Sequence, residues 1–429
     1  MRPLTRRRVL RAGAALGTSA AIAGSTAACG ASRRKDELVF GFHGDTVSIG
    51  IYRRIVELYR RRNPGARISY TYADSLGFFQ RLPLMFRAGT APDVMIVAES
   101  WVSGLSQLGG YADLSSFVRR DGVREDQWLP GSLNPARIEG RVLCLPVIVY
   151  PKGVTYNKTL LDKLGIPLPR DGWSERDFLE TAAAAASGSG VRRTWGMRNA
   201  FGTNQPYDVA TVHGGLPFDP LTRRMTATDG RMVSALQLMH DLVHTRRAMP
   251  AAGQTQYAVD FTSGLFAMDL FYGYALSYLR QQIAERFEWG VVPYPKEWIG
   301  TYQNNNVAVF EGSKRKEEAW HFATFIATDP DAQRLLEPVG TPALRTALKG
   351  WQQGLSAEDR VLPWTRMIAG MEHQLVAYQG GIFNKVWDVL GQQVQAVENR
   401  GPGPPGTGRG PGTRHTDPAC LRRRRDRRT

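Results

Sequence analysis

Residues 37–98 alternate strand and helix signals, and no other feature constrains the fold of this chain as tightly. Leu38-Val39-Phe40-Gly41-Phe42 is a short apolar run of the kind that forms a buried strand. From Ile51 the apolar positions Ile51, Ile55, Leu58 and Tyr59 recur at helical spacing, and Asn63-Pro64-Gly65 ends that helix. Ile68, Tyr70 and Tyr72 then alternate with polar neighbours as a strand, and the two tyrosines, sharing a face, read as core. A second helix covers about Phe78 to Arg87, with Pro83 expected to kink or divide it. Asp93-Val94-Met95-Ile96-Val97 is a third buried strand. A β-α-β-α-β order predicts a parallel sheet with helices on its faces. Ligands of such sheets bind beyond the carboxyl ends of the strands, here near His43–Asp45 and Ala98–Trp101.

The middle of the chain is read as helix-rich: Trp173–Ala186, Arg231–Arg246 and Phe266–Arg280. A short strand, Trp289–Val292, leads into Pro293-Tyr294-Pro295. Between Phe310 and Leu335 another helix places Ala319, Phe322, Ala323 and Ile326 on one face. No internal repeat is visible. The 429 residues leave room for two or three domains, or for one two-lobed body with a substantial core.

The formal net charge of +16 would suggest a nucleic-acid partner if it were spread over the fold, but it sits at the ends. Residues 1–28 carry five arginines and no acids, and residues 401–429 carry eight arginines against Asp417 and Asp426, which leaves +5 for everything between. A basic nucleic-acid-binding core is thereby excluded. The N-terminal arginines, Arg6-Arg7-Arg8, precede a weakly apolar stretch from Ala12 to Ala28. That stretch is too short for a membrane span of about 20 apolar residues and suits a signal peptide with a twin-arginine-like address. It runs into Thr26-Ala27-Ala28-Cys29, which resembles a lipobox with Thr26 where leucine is usual. Acylation of Cys29 would tether the mature chain to the outer face of the cell membrane through the polar segment 29–35; cleavage without acylation would leave it freely secreted. The 401–429 segment, rich in Arg, Gly and Pro, has the composition of a disordered tail.

The chain carries few signatures of catalytic chemistry. There is no G-x-S-x-G elbow, no G-x-x-x-x-G-K-[ST] phosphate loop and no H-E-x-x-H. His240 and His244 lie at i, i+4, a spacing that could hold zinc, but no acid–histidine signature accompanies them. Cys144, between Leu143 and Leu145, reads as a small buried hydrophobe, and three cysteines, one of them at the lipobox, provide no disulfide framework. No cofactor and no metal site is expected.

Four ordered stretches carry a family resemblance: Gly89-Thr90-Ala91-Pro92-Asp93-Val94-Met95 with Leu108-Gly109-Gly110-Tyr111 downstream; Glu139-Gly140-Arg141-Val142 to Pro146 with Val154-Thr155-Tyr156-Asn157-Lys158; Asp260 to Met268; and Trp289 to Pro295 followed by Ser313-Lys314 and Ala319-Trp320-His321-Phe322. Together they resemble the extracellular solute-binding proteins of bacterial sugar ABC importers, the maltose-binding-protein-like group called family 1. The resemblance spans about residues 37–395 and implies an α/β, two-lobed periplasmic-binding-protein fold of type II, with hinge-linked lobes around a central cleft. It suggests lobe one over 36–147 and 303–345, and lobe two over 148–302 and 346–400. It also implies a carbohydrate ligand, an ABC permease as membrane partner, membrane attachment through the N-terminal lipid, no nucleic acid, a monomer, and capture rather than catalysis. The alternatives are a binding protein for a non-sugar solute and a secreted carbohydrate-active enzyme.

Sugars present apolar CH faces and dense hydroxyls, so such a cleft needs aromatic platforms and planar polar groups. The aromatic candidates are Trp101, Tyr150, Trp195, Tyr272, Tyr274 and Tyr302. The polar candidates are His43, Asp45, Gln80, Glu99, Asn304 and Arg345. Asp45 is equally suited to capping a helix, and Arg345, which resembles a family position near the cleft, is equally suited to the surface.

Overall fold

The computed structural model describes residues 36–199, 211–219, 224–251, 254, 259–376 and 382–399. The signal segment, Cys29 and its tether, and the 401–429 tail lie outside the described residues. All strands and helices of the described residues belong to the unit that begins at Leu38.

Three parallel strands form first: β1 (Leu38–His43), β2 (Ile68–Ala73) and β3 (Val94–Ala98), with β1 between the other two. Helix α1 (Thr46–Arg62) starts where the Asp45 carboxylate accepts from the Ser48 amide at 2.8 Å and buries Ile51, Tyr52, Ile55 and Val56. Helix α2 (Ser75–Ala88) is capped by Asp74 and ends on Gly89 at φ 66°. It continues through Pro83 as one helix, so of the two expected effects the proline does not produce a division. Phe79 and Leu82 before the proline and Phe86 after it bury one face, and that packing offsets the lost amide. Strand pleating sorts β1: Leu38, Phe40 and Phe42 enter the core beneath α1, while Gly41 and His43 face Pro92, Phe78 and Phe79. Tyr72 is half exposed rather than core because β2 is the edge strand, and it stacks on Phe42.

After α3 (Glu99–Ser106) and the hairpin of β4 (Arg137–Ile138) and β5 (Arg141–Val142), the chain enters β6 (Cys144–Val149), every residue of which is buried, Cys144 included. Two residues later β7 (Lys152–Asn157) begins a second sheet, joined by β8 (Trp195–Met197). A small hairpin, β9 (Phe218–Asp219) with β10 (Arg224–Met225), precedes β11 (Phe266–Tyr272), and β12 (Trp289–Val292) follows it. The second sheet has the order β12-β7-β11-β8, with β7 antiparallel to both neighbours. The expected helix over Phe266–Arg280 is therefore two elements: seven fully buried residues of strand, then a helix over Leu276–Ile283. An apolar run buried on all sides carries no period to separate strand from helix.

The chain returns through β13 (Thr301–Tyr302) into β14 (Asn304–Val309), which inserts between β6 and β3 and runs antiparallel to both. β15 (Thr341–Pro342) completes the first sheet, order β15-β6-β14-β3-β1-β2, and β16 (Leu375–Val376) pairs with β13. The helix Lys316–Thr328 buries Ala319, Phe322, Ala323 and Ile326, with Trp320. His240 and His244 sit with their rings 4.8 Å apart, and among the described residues no group of three His, Cys, Asp or Glu could hold a metal. Among the same residues no helix is long and apolar enough to cross a membrane.

Candidate functional site

Strand direction brings the site together. Because β14 is antiparallel to β3 and to β6, the carboxyl ends of β1, β3 and β6 and the start of β14 share one edge of the first sheet. Tyr272 pairs with Lys152, so the end of β11 and the start of β7 share one edge of the second. Only Tyr150 and Pro151 separate β6 from β7, and these two edges are therefore joined directly.

The floor at this junction is a buried polar group. Glu99 opens α3 directly after β3, is 4% exposed, and accepts from the Asn304 amide at 3.1 Å. Burial pushes its carboxyl up to about 7, against the opposing pull of that amide and of the Lys152 ammonium. Lys152, 2% exposed, donates to Thr301 Oγ1 and lies 4.9 Å from the centre of the Tyr272 ring. Beneath them the Asn304 side-chain amide donates to the Ser132 carbonyl (3.0 Å) and exchanges hydrogen bonds with the Asn306 side chain, while the Tyr302 hydroxyl donates to Ser132 Oγ (3.1 Å). Asn304 and Tyr302 have essentially no exposed surface and brace the floor rather than face solvent.

An aromatic wall rises from the same junction. Tyr272 stacks on Tyr274 at 5.4 Å, and Tyr274 meets Tyr150 edge to face at 5.5 Å. Asn305 Nδ2 donates to the Tyr150 hydroxyl at 3.0 Å, and burial raises that hydroxyl well above the usual tyrosine range. At the first-sheet rim Trp101 stacks on Phe79 (5.0 Å, 6°), and Phe79 lies 4.7 Å from the His43 ring. His43 Nδ1 is 2.9 Å from Ser75 Oγ, and Nε2 has no partner among the described residues. Burial lowers the imidazole to about 4, so it is neutral at physiological pH.

Four further expected residues have the following places. Asp45 is the N-cap of α1, bonding both the amide and the hydroxyl of Ser48, and its charge also acts on the Tyr150 hydroxyl at the junction. Gln80 is exposed on α2. Arg345 is exposed and donates to the Asp126 carbonyl at 2.9 Å, a surface arginine. Trp195 opens β8 opposite Phe266, the far end of β11 from Tyr272, and is buried in the core with the Arg193 guanidinium over its ring. The residue that reaches the Tyr272 end of this sheet is Arg198, just past β8, whose Nε is held by buried Asp269 at 2.5 Å. Lys152 and Asn305 also escape the sequence reading. Lys152 is the one charge between Val142 and Asn157, and Asn305 alternates in the pleat with Asn304 and Asn306, so it faces the other way.

A buried polar floor and an aromatic wall where the two sheets meet form an arrangement that suits a bound ligand. The profile of the family described as bacterial extracellular solute-binding protein matches residues 44–333, and the chain belongs to that family. An uncharacterized lipoprotein of Streptomyces antibioticus is 25% identical over 343 residues, 74% of each chain. In structure, the chain is similar to an ABC substrate-binding protein of Listeria monocytogenes in complex with cycloalternan (TM-score 0.70, 19% identity, covering 85% of this chain and 93% of that one). It is similar also to the GacH receptor of Streptomyces glaucescens, known unliganded and in complex with acarbose (TM-score 0.66, 19% identity, covering 84% and 92%).

Proposed function

We propose that this protein captures an extracytoplasmic carbohydrate, a mono- or oligosaccharide, by hinge closure, and delivers it to the membrane subunits of an ABC importer. The observation that carries this reading is the tyrosine wall of Tyr150, Tyr272 and Tyr274 beside the floor of Glu99 and Lys152. Stacked rings suit sugar CH faces, and a carboxylate, an ammonium and the Asn305 amide suit hydroxyls. The cycloalternan and acarbose complexes of the two structural relatives support a saccharide ligand. Trp101 and His43 extend the same surface across the first-sheet rim.

In this reading lobe one is carried by 36–147 and 303–345, lobe two by 148–302 and 346–400, and ligand binds the closed arrangement better than the open one. Acylated Cys29 tethers a monomer to the outer face of the membrane, consistent with the lipoprotein name of the Streptomyces antibioticus relative. Capture is favoured over hydrolysis because the charged group set against Glu99 is Lys152, whereas glycoside hydrolysis needs a second carboxylate.

A thermal-shift screen of residues 31–400 against mono-, di- and oligosaccharides, amino acids, peptides and iron chelates tests it. A ligand at 100 times its dissociation constant adds about 2.7 kcal/mol of stability, readable as a melting shift. A shift with one saccharide group supports the reading, and a shift only with a non-sugar overturns the substrate class.

A further inference from the structure

A second cavity, of about 310 Å³, lies beside the Tyr150–Pro151 crossover. Its walls come from both sides of that crossover. Gly273, Tyr274 and Ser277 follow the end of β11 in the second sheet, and Glu337 to Thr341 lead into β15 of the first. The third wall is Trp351 and Trp364, packed edge to face at 5.0 Å, with Gly354 and Asp359.

The polar groups of this cavity are not equally spoken for. Asp359 is paired with Arg280 at 2.6 Å. The Glu337 carboxylate is partly buried, with the Arg334 guanidinium acting on it from one helical turn away. It lies against the two glycines of the helix Arg345–Gly354, where a Cβ on Gly354 would stand 3.4 Å from Oε2 and one on Gly350 would stand 3.9 Å from Oε1. Burial raises the Glu337 carboxyl above its ordinary value, against the opposing pull of Arg334. A carboxylate standing at the wall of a cavity can accept hydroxyl or other donors from an occupant. The volume is at the lower end of the roughly 300–1,000 Å³ of small-molecule sites, which admits a single ring and not a chain.

We infer that this cavity is a second binding site, for one sugar ring or a polyol of similar size, with Glu337 accepting its hydroxyls and the indoles of Trp351 and Trp364 flanking it. Its walls belong to both sheets, so an occupant's affinity depends on the hinge angle, and occupancy is coupled to capture in the main cleft. The inference does not require the main cleft to bind sugar.

The test follows the indole N–H resonances of the mature protein, assigned with Trp351→Phe, Trp364→Phe and Trp101→Phe. The probes are D-glucose, D-galactose, D-mannose and glycerol, with choline as a cation control. A saturable shift of the Trp351 and Trp364 resonances with a polyol, weakened at least tenfold in Gly354→Leu and in Glu337→Ala, is the expected result. Gly354→Leu fills the cavity from an exposed helix end, and an unchanged melting temperature shows that it folds. No shift with any polyol, or a shift that persists in Gly354→Leu, overturns the inference. A shift with choline alone overturns the ligand class. Tyr274 is shared with the wall of the main cleft, so the Trp101 resonance, at the first-sheet rim of that cleft and away from Tyr274, is the separate report: a failure of the carbohydrate reading there is distinguishable from a failure here.

Discussion

Glu99→Gln isolates the energetics of the buried floor. The Glu99 carboxyl is raised from 4.5 to about 7 by burial, so the folded state holds a proton that the unfolded chain releases. At 1.36 kcal/mol per pKa unit, ionising Glu99 in the folded state costs about 3 kcal/mol. That cost is absent below pH 4.5, grows as pH rises, and is complete above about 7; from this group alone, stability falls with rising pH. His43 acts in the opposite sense. Its pKa is lowered from 6.5 to about 4, so it costs nothing above pH 6.5 and destabilises the fold as pH falls toward 4. Between pH 4.5 and 6.5 the two slopes cancel in the native protein. Glu99→Gln removes one of them and leaves stability rising with pH across that window, while His43→Gln leaves it falling. Urea unfolding at half-unit steps from about pH 4.5 to 8, with each variant subtracted from the native protein, reads the difference. A Glu99→Gln difference that is constant with pH would refute the reasoning, because it would mean the carboxylate is solvated or fully paired by Lys152 in the fold.

Three further perturbations separate support from contact. Asp45→Ala removes the α1 cap and costs about 1 kcal/mol of stability, whereas Asp45→Asn keeps it; a tenfold loss of ligand affinity in Asp45→Asn would show that Asp45 touches ligand after all. Trp101→Ala and Tyr150→Ala each weaken saccharide binding at least tenfold, about 1.4 kcal/mol, with the fold intact by circular dichroism, and unchanged affinity in both would sink the site. Gly196→Ala would place its Cβ 2.0 Å from the Ala182 carbonyl oxygen, a backbone collision that no rotamer relieves. Destabilisation of about 1–3 kcal/mol or more is expected, and a variant that unfolds at the native urea concentration would contradict the β8 packing.

The run from Leu38 to Ala98 is legible in the sequence because its physics is local. Asp45 and Asp74 cap, Asn63 and Gly89 terminate, and the period changes from two to 3.6 and back within one β-α-β-α-β run. Pro83 does not divide its helix because Phe79, Leu82 and Phe86 contribute packing that outweighs one lost hydrogen bond, a balance the sequence alone does not display. Phe266–Arg280 misleads for a related reason: Phe266 to Tyr272 is buried on both faces, and burial on both faces erases the alternation that identifies a strand.

The site residues divide along a different line. His43, Glu99 and Trp101 can be found because the strands before them are already delimited, so their place at a carboxyl end follows from sequence. Trp195 and Tyr272 sit on neighbouring strands of the second sheet, yet only Tyr272 reaches the junction, because it ends β11 whereas Trp195 begins β8. Side-chain type cannot make that distinction, since both are large aromatics with a polar edge. Strand direction can, and once β8 is known to run parallel to β11 the position to choose on it is the one past its end, Arg198. The same rule picks Lys152, the first residue of the antiparallel β7, because reversing the strand reverses which terminus meets the cleft. In a sheet of mixed direction, the residues that can touch ligand are thus fixed by which way each strand runs before they are fixed by what each residue is.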